Sequence, residues 1–505
     1  MSRNTIIKGT LILTIAGLLT RIIGFFYKIF LSNALGAEML GVYSLIFPIY
    51  GICFTLYASG IQTGISKLVA EEYGKDNLKN AKKILRTGLI ASVSIAFCLS
   101  IIIYFGSDFI AANYLMEKKS AASLRILSYV FPFCGITACI NGYYYGKKKA
   151  LIPASTQLVE QIVRVAFVYV FALLFGEGNL SITCELAVWG IVLGEIASNI
   201  FNILSLKFQK ETNTNKDKER VSFGKPLAKL SFPLSMNRVL ISVLHSVEAV
   251  MIPAMLRRSG LTNTEALSAF GILNGMSLPF LLFPSTITNS LSVLLLPAIS
   301  EAKAKENNKV ITHTVSVSLK YCLILGIFSA GFFIYFGEPL GMSVFHVKEA
   351  GTYLCILGWL CPFLYAATTL SSVINGLGKA NLTFINSVIG MSIRIGLLVF
   401  MVPRSGMYGY LISLLISQLI ITGLDFIIVY KYIPFPLDAV NSVLKPGITA
   451  WLGCSFFLRV YEFIIATFNL NKTLVILACC LVLGVIYIYI LKAFDAIKRG
   501  EWHIK

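Results

Sequence analysis

The sequence predicts an all-α integral membrane protein of about fourteen transmembrane helices: two pseudo-symmetric six-helix lobes with two further helices at the C-terminus. Three observations predict it. Of 505 residues, 56% are hydrophobic and only 13% are charged, about half the charge that a water-facing exterior carries. Fourteen apolar runs have the length of a bilayer crossing, roughly 17 to 25 residues. Finally, shifting the chain by 230 positions superposes several unusual residues.

The runs, numbered here as spans 1 to 14, begin near Ile6, Val42, Ile84, Leu124, Pro153, Cys184, Leu230, Leu267, Val310, Tyr353, Leu382, Tyr408, Gly447 and Thr473. The organisation that follows is a first lobe over 1–206, a cytoplasmic linker over 207–229, and a second lobe over 230–430. A cytoplasmic loop over 431–446 and two appended spans with a tail over 447–505 complete it. Spans 7 and 8 are interrupted by Pro253, Pro279, Pro284 and Pro297. Connections are short, leaving no room for a soluble domain. Arg21 splits the first run and thirteen more follow, so a cleaved signal peptide is not expected.

Charge sets the orientation. The chain has 43 Lys+Arg against 24 Asp+Glu, a balance that in a soluble protein points to nucleic acid. Here 28 of the 43 fall on the termini and the even-numbered loops, seven on the opposite loops, and eight at or within spans. Basic residues pool on the cytoplasmic side, so both termini are expected there. The excess is topology, and no nucleic-acid partner is implied.

Several chemistries lack their residues. The eleven cysteines are scattered through apolar runs without a CxxC, and the four histidines form no HExxH, so neither a metal nor a catalytic centre is expected. No GxxxxGK[ST] occurs, so the chain carries no ATPase motif.

The shift aligns Pro132 with Pro362, Phe133 with Phe363, Lys149 with Lys379, Ala150 with Ala380 and Arg164 with Arg394. The tripeptide Ile140-Asn141-Gly142 returns as Ile374-Asn375-Gly376, four residues out of that register. Six spans separate the copies, so both have the same orientation. Parallel repeats around a central cavity are an alternating-access architecture.

Charges inside spans each cost roughly 2.5 to 3.5 kcal/mol on insertion scales and need a partner or a wet cavity. Arg21, with Thr14 and Lys28 seven residues to either side, forms a polar stripe flanked by Gly17 and Gly24, which would permit close helix approach. Glu160 and Arg164 are four apart and can pair on one face; they serve either to neutralise each other or to meet substrate. Arg238, His245 and Glu248 fall on one side of span 7, and Arg394 has no acid on its own span. Glu195 is central in span 6, and Asp425 lies towards the inner end of span 12, where an interfacial position is open to it. Arg21, Arg238 and Arg394, with Arg164, are the candidate substrate-binding residues, because guanidinium grips phosphate with paired hydrogen bonds. Glu160, Glu195 and Glu248 are the candidates for coupling to a proton or sodium ion.

A family resemblance rests on particular residues. Lys8-Gly9-Thr10-Leu11-Ile12-Leu13 with Gly17, Thr20-Arg21 and Gly24-Phe25 resembles the start of stage V sporulation protein B-like members of the multidrug/oligosaccharidyl-lipid/polysaccharide (MOP) exporter superfamily. So do Ile65-Ser66-Lys67-Leu68-Val69-Ala70-Glu71, Gln157, Glu160-Gln161, Val163-Arg164, Gly194-Glu195, Ala197-Ser198, Arg238, Glu248 and Leu296-Pro297-Ala298-Ile299-Ser300-Glu301. The family is similar to lipid II flippases and polysaccharide repeat-unit flippases. The resemblance implies a cationic central cavity and an undecaprenyl-pyrophosphate-linked oligosaccharide moved from the inner to the outer leaflet, in cell wall or spore cortex synthesis. Spans 2 and 8 hold no arginine, where lipid II flippases of the Gram-negative type carry them, so the implied cargo is the broader class of lipid-linked oligosaccharides. The expectation is a monomeric transporter rather than an enzyme, without cofactor, contacting its substrate and membrane lipids. Two alternatives stand beside it: a cation-coupled multidrug exporter of the same superfamily, and a membrane glycosyltransferase or polymerase.

Overall fold

In the computed structural model, about 90% of the chain is helix, and no strand occurs among the described residues. The structure describes residues 3–75, 77–175, 182–208, 222–468 and 470–497, with side chains from Ile15 onward, Phe175 excepted. By length and composition ten helices among the described residues can cross a membrane, or twelve if each of two bent pairs is one span. Every predicted span start falls inside a helix. The two longest segments are each broken by a glycine. Ile15–Gly74 turns at Gly36 (φ 72°, ψ 170°) and Ala380–Tyr432 at Gly406 (φ 57°, ψ −141°), backbone angles that glycine adopts without a Cβ clash. The bent pairs are Ser120–Leu127 with Val130–Gly146, at 42°, and Lys348–Gly358 with Cys361–Gly376, at 56°. Pro132 and Pro362 sit at the start of each second member, where a missing N–H costs nothing.

Both ends of the expected linker, 207–229, are helical. The helix Gly224–Arg258 begins within 207–229, and Phe223 and Leu227 pack into a core with Ile65, Ile84 and Tyr144. Residues 209–221 lie outside the described residues. The chain divides into two compact units, Met1–Ala254 and Met255–Lys505.

The same contacts recur in both units at the shift that aligns Arg164 with Arg394. Val69, Ala81, Leu85, Ile140, Tyr143 and Tyr144 pack together in the first; Ile299, Ile311, Val315, Leu370, Val373 and Ile374 do so in the second. Asn77 and Asn307 each cap the following helix by accepting a backbone N–H through the side chain. Left-handed residues recur at Met116 and His346, and at Lys148 and Gly378.

Close helix approach shows which register is real. A Cβ on Gly146 would lie 2.7 Å from the Ser66 carbonyl, and one on Gly376 would lie 3.0 Å from that of Leu296. Gly376 is thus the counterpart of Gly146. The Ile-Asn-Gly match, which pairs Gly376 with Gly142, is a sequence coincidence. Gly142 itself faces the Gln62 carbonyl, 2.6 Å from a built Cβ, and its counterpart Ser372 donates a hydrogen bond to the Ser292 carbonyl.

Past span 5 the register changes. Residues 176–183 separate the helices Leu151–Phe175 and Cys184–Phe208, whereas Gly406 alone breaks the corresponding stretch. Spans 6 and 12 therefore correspond at a shorter shift than spans 5 and 11, one that pairs Asn199 with Thr422. Their contacts agree. Asn199 donates to the Phe133 carbonyl, and Thr422 donates to the carbonyl of Phe363, the counterpart of Phe133.

Candidate functional site

Three of the predicted residues meet in the first unit. Arg164 donates to the Glu160 carboxylate one turn earlier, and its Nη1 also reaches the Gln161 side chain at 3.5 Å. Both side chains of the pair are about one-fifth exposed (20% and 22%). Span 6 comes close to span 5 because it is glycine there. A Cβ on Gly194 would lie 2.8 Å from the Glu160 carbonyl and 3.3 Å from the Arg164 Cβ, and Gly190 packs against Val168. That approach places Glu195 beside the pair.

Glu195 is buried and accepts hydrogen bonds from Thr137 Oγ1 and Ser198 Oγ, each at 3.3 Å. Asn199 completes the network, donating to Thr137 Oγ1 at 2.9 Å and to the Phe133 carbonyl at 2.7 Å. Its Oδ1 is buried with no partner among the described residues. Thr137 sits in the helix Val130–Gly146, so spans 4, 5 and 6 share one polar interior. The sequence offered Glu195 but not Thr137, Ser198 or Asn199, since small polar residues in apolar runs are unremarkable until they converge.

Arg238 on span 7 is exposed as a residue, yet one end is tied down. Its Nη1 donates to the Ser59 carbonyl at 2.9 Å, to the Ser59 hydroxyl, and to Thr63 Oγ1 at 3.5 Å. Ser59 closes a π-helical turn, Thr55–Ser59, whose widened geometry offers carbonyls to side chains. Glycine brings the helices together here as well: a Cβ on Gly60 would lie 2.6 Å from the Ser231 carbonyl. The predicted single face of span 7 divides. His245 is 58% exposed and Glu248 is 6% exposed, with Nδ1 and Oε2 3.7 Å apart. Next to them Ser246 shares a 2.9 Å hydrogen bond with Tyr114.

Arg21 is exposed and makes no ion pair among the described residues. The side chain of Thr14, the outer member of its expected stripe, lies outside the described residues. The glycines beside it differ: a Cβ on Gly24 would approach Gln161 at 3.4 Å, but one on Gly17 would meet nothing within 4 Å, so Gly17 is not a close-packing position.

In the second unit Arg394 donates Nε to Ser417 Oγ at 2.8 Å. Ser417 is the counterpart of Gly194 in the register that pairs Asn199 with Thr422. The counterpart of Glu160 is Gly390, which packs against Ile421, so the ion pair of span 5 has no equivalent one turn before Arg394. An acid is present elsewhere. Asp425 is fully buried, accepting from Asn386 Nδ2 at 2.7 Å and from Ser371 Oγ at 3.0 Å. Spans 10 and 11 thus supply the partners that enclose Asp425.

The comparisons with known proteins agree with this architecture. Residues 6–303 match the family described as polysaccharide biosynthesis protein. The chain is 25% identical over 508 residues to stage V sporulation protein B of Bacillus subtilis (strain 168), covering 99% of this chain and 98% of that protein. It is 19% identical to the lipid II flippase MurJ of the same organism, covering 96% and 95%. Among solved structures, an inward closed conformation of lipid II flippase MurJ aligns with a TM-score of 0.70 at 17% identity, covering 96% and 98% of the two chains. An inward-facing MATE multidrug resistance transporter aligns at 0.66 and 16%, covering 82% and 94%. At these identities the structures speak for the fold. With more than half its length matched by the family, this multi-pass membrane protein belongs to the polysaccharide biosynthesis protein family.

Proposed function

We propose that this chain is a flippase that carries an undecaprenyl-pyrophosphate-linked oligosaccharide, either lipid II or a polysaccharide repeat unit, from the inner to the outer leaflet. The observation that carries the reading is a set of guanidinium groups inside apolar spans, two of them, Arg21 and Arg238, on exposed positions. An arginine in hydrocarbon is costly, and one that lines a wet cavity can exchange solvent for a pyrophosphate. Relatives named for lipid II flipping and sporulation support the cargo class.

In this reading the chain crosses the membrane fourteen times. Ten apolar helices, two bent pairs and two glycine breaks at Gly36 and Gly406 support that number. The recurrence of the same helix contacts in both units supports two six-span lobes, with spans 13 and 14 appended and 207–229 joining the lobes. Both termini face the cytoplasm of a bacterial cell, and the protein works as a monomer by alternating access. Arg21, Arg238 and Arg394 bind pyrophosphate and sugar, joined by Arg164 when its guanidinium leaves Glu160. Glu160, Glu195 and Glu248 couple the cycle to a proton or sodium gradient. No cofactor and no chemical step are required.

Complementation of a flippase-depleted strain with Arg21→Ala, Arg238→Ala and Arg394→Ala tests this. Loss of growth with normal membrane levels is the expected outcome for each. Full growth from all three would overturn the cationic-cavity mechanism. Mass spectrometry of lipid co-purified with the protein identifies the cargo.

A further inference from the structure

Asp425 is 0% exposed, and no other charged side chain among the described residues is so fully enclosed. Both carboxylate oxygens are used: Oδ1 accepts from Asn386 and Oδ2 from Ser371. No basic group among the described residues pairs with it. The groups that hydrogen-bond it are Asn386 from span 11 and Ser371 from span 10, and neither titrates; on its own helix Thr422 lies three residues before it, and the exposed Tyr430 and Lys431 lie five and six residues after it. Of the cations towards that end, Lys379 lies over the ring of Tyr432 at 4.9 Å.

The first unit builds the same node without charge. Thr156, counterpart of Asn386, donates to Oδ1 of Asn202, counterpart of Asp425, at 2.8 Å. Asn141 stands where the second unit has Ser371. The packing of three helices therefore accepts an amide at this point, and the acid in the second unit answers a different need.

We propose that Asp425 is a proton-binding carboxyl, and that its protonation strengthens anion binding at Arg394. The second clause rests on the flippase reading; the first does not. A proton is the one cation that adds to a carboxylate whose surroundings are already filled. Ser371 makes both states acceptable: its hydroxyl donates to the carboxylate, and can turn to accept from the carboxylic acid while donating to a backbone carbonyl one turn back. Asn386 donates to Oδ1 in either state.

The link to Arg394 is geometric. Asn386 and Arg394 are eight residues apart on one helix, as are Ser417 and Asp425 on the helix packed against it. The two nodes are thus about 12 Å apart along the axes. At an effective dielectric of about 20, removing one charge at that distance changes anion affinity about tenfold. A proton taken up at Asp425 removes the negative charge that competes with substrate for the field of Arg394.

The test uses the full chain in lipid nanodiscs. Infrared difference spectra over a pH titration report the carbonyl stretch of a protonated carboxyl. The wild type should show such a band, Asp425→Asn should lose it, and Glu195→Gln should keep it. Asp425→Asn copies the Asn202 node, so its melting temperature should match the wild type. Ser371→Ala, which leaves the acid in place, should shift the band's frequency. Identical spectra for the wild type and Asp425→Asn at every pH, or a band unmoved in Ser371→Ala, would overturn the proton site. Binding of undecaprenyl pyrophosphate is the second arm. Its affinity should change about tenfold more with pH in the wild type than in Asp425→Asn, and equal pH dependence in both overturns the coupling to Arg394. If neither protein binds this probe, the flippase reading fails, while the infrared titration still decides the proton site.

Discussion

Spans 5 and 6 and spans 11 and 12 are built on one plan and handle charge in opposite ways. In the first pair Arg164 has its counter-charge on the preceding turn, Glu160, and glycines on span 6 let the neighbouring helix approach the pair closely. In the second pair the corresponding position is Gly390, Arg394 reaches a serine, and the acid lies about two turns away at Asp425. A neutral pair joins two turns of one helix. A separated acid and arginine create a field along two helices that a proton or an anion can alter. One backbone plan therefore holds an adjacent charge pair in one copy and a separated acid and arginine in the other.

The largest effects should come from the arginines themselves. Arg394→Ala should abolish complementation while leaving the melting temperature of purified protein nearly unchanged. Arg164→Ala strands Glu160 in a half-buried site and should lower stability by on the order of 3 kcal/mol, the lower end for breaking a buried pair. Glu160→Gln in the same chain should restore most of it. If Arg164→Ala melts like the wild type, the pair with Glu160 does not stabilise span 5.

Next comes an attempt to move the acid. Gly390→Glu gives span 11 the ion pair of span 5, but its Cβ runs into Ile421. Overpacking of this kind costs about 1–3 kcal/mol. Adding Ile421→Ala should recover folding, and the double variant should transport poorly because the added carboxylate neutralises Arg394. Melting curves and complementation, read together, separate these two effects.

The repeat register can be tested by substitution at helix contacts. Gly142→Val places a side chain against the Gln62 carbonyl and should destabilise by about 2 kcal/mol. Ser372→Gly at the matching position removes one hydrogen bond and should cost about 1 kcal/mol. Equal losses at the two positions would argue against this correspondence.

The smallest effect lies outside the membrane. Asp438 accepts hydrogen bonds from the side chain and backbone N–H of Asn441, which hold its carboxyl below the ordinary value of 3.8. Its contribution to the loop before span 13 is present above pH 3.8 and fades as pH falls through the depressed value. Asp438→Ala should therefore lower the melting temperature slightly near neutral pH and not at all in strong acid.

Much of this was legible in the residues. Each span start lies in a helix because apolar runs of bilayer length leave the backbone few other ways to satisfy its hydrogen bonds. Glu160 and Arg164 pair as their spacing demands, and Arg164 and Arg394 do occupy matching places. The Ile-Asn-Gly match misled because a small residue at a crossing is defined by the carbonyl it faces, not by its neighbours in sequence. The enclosure of Asp425 was not legible, because proximity to a span end says nothing about which helices cover it. The convergence on Glu195 and the clasp of Arg238 on Ser59 were out of reach for the same reason.

By itself, then, the sequence determined what hydrophobicity, helical period and charge count determine: a multi-pass helical protein, its spans, its repeat and its intramembrane charges. Those quantities are local or additive along the chain. Tertiary structure alone decided the partners of each charge, since a helix offers a whole cylinder of positions and only glycine contacts such as Gly194 against Glu160 select the face that is covered. It also decided the change of register between spans 6 and 12, because the connector 176–183 and the single residue Gly406 can join helices that pack alike.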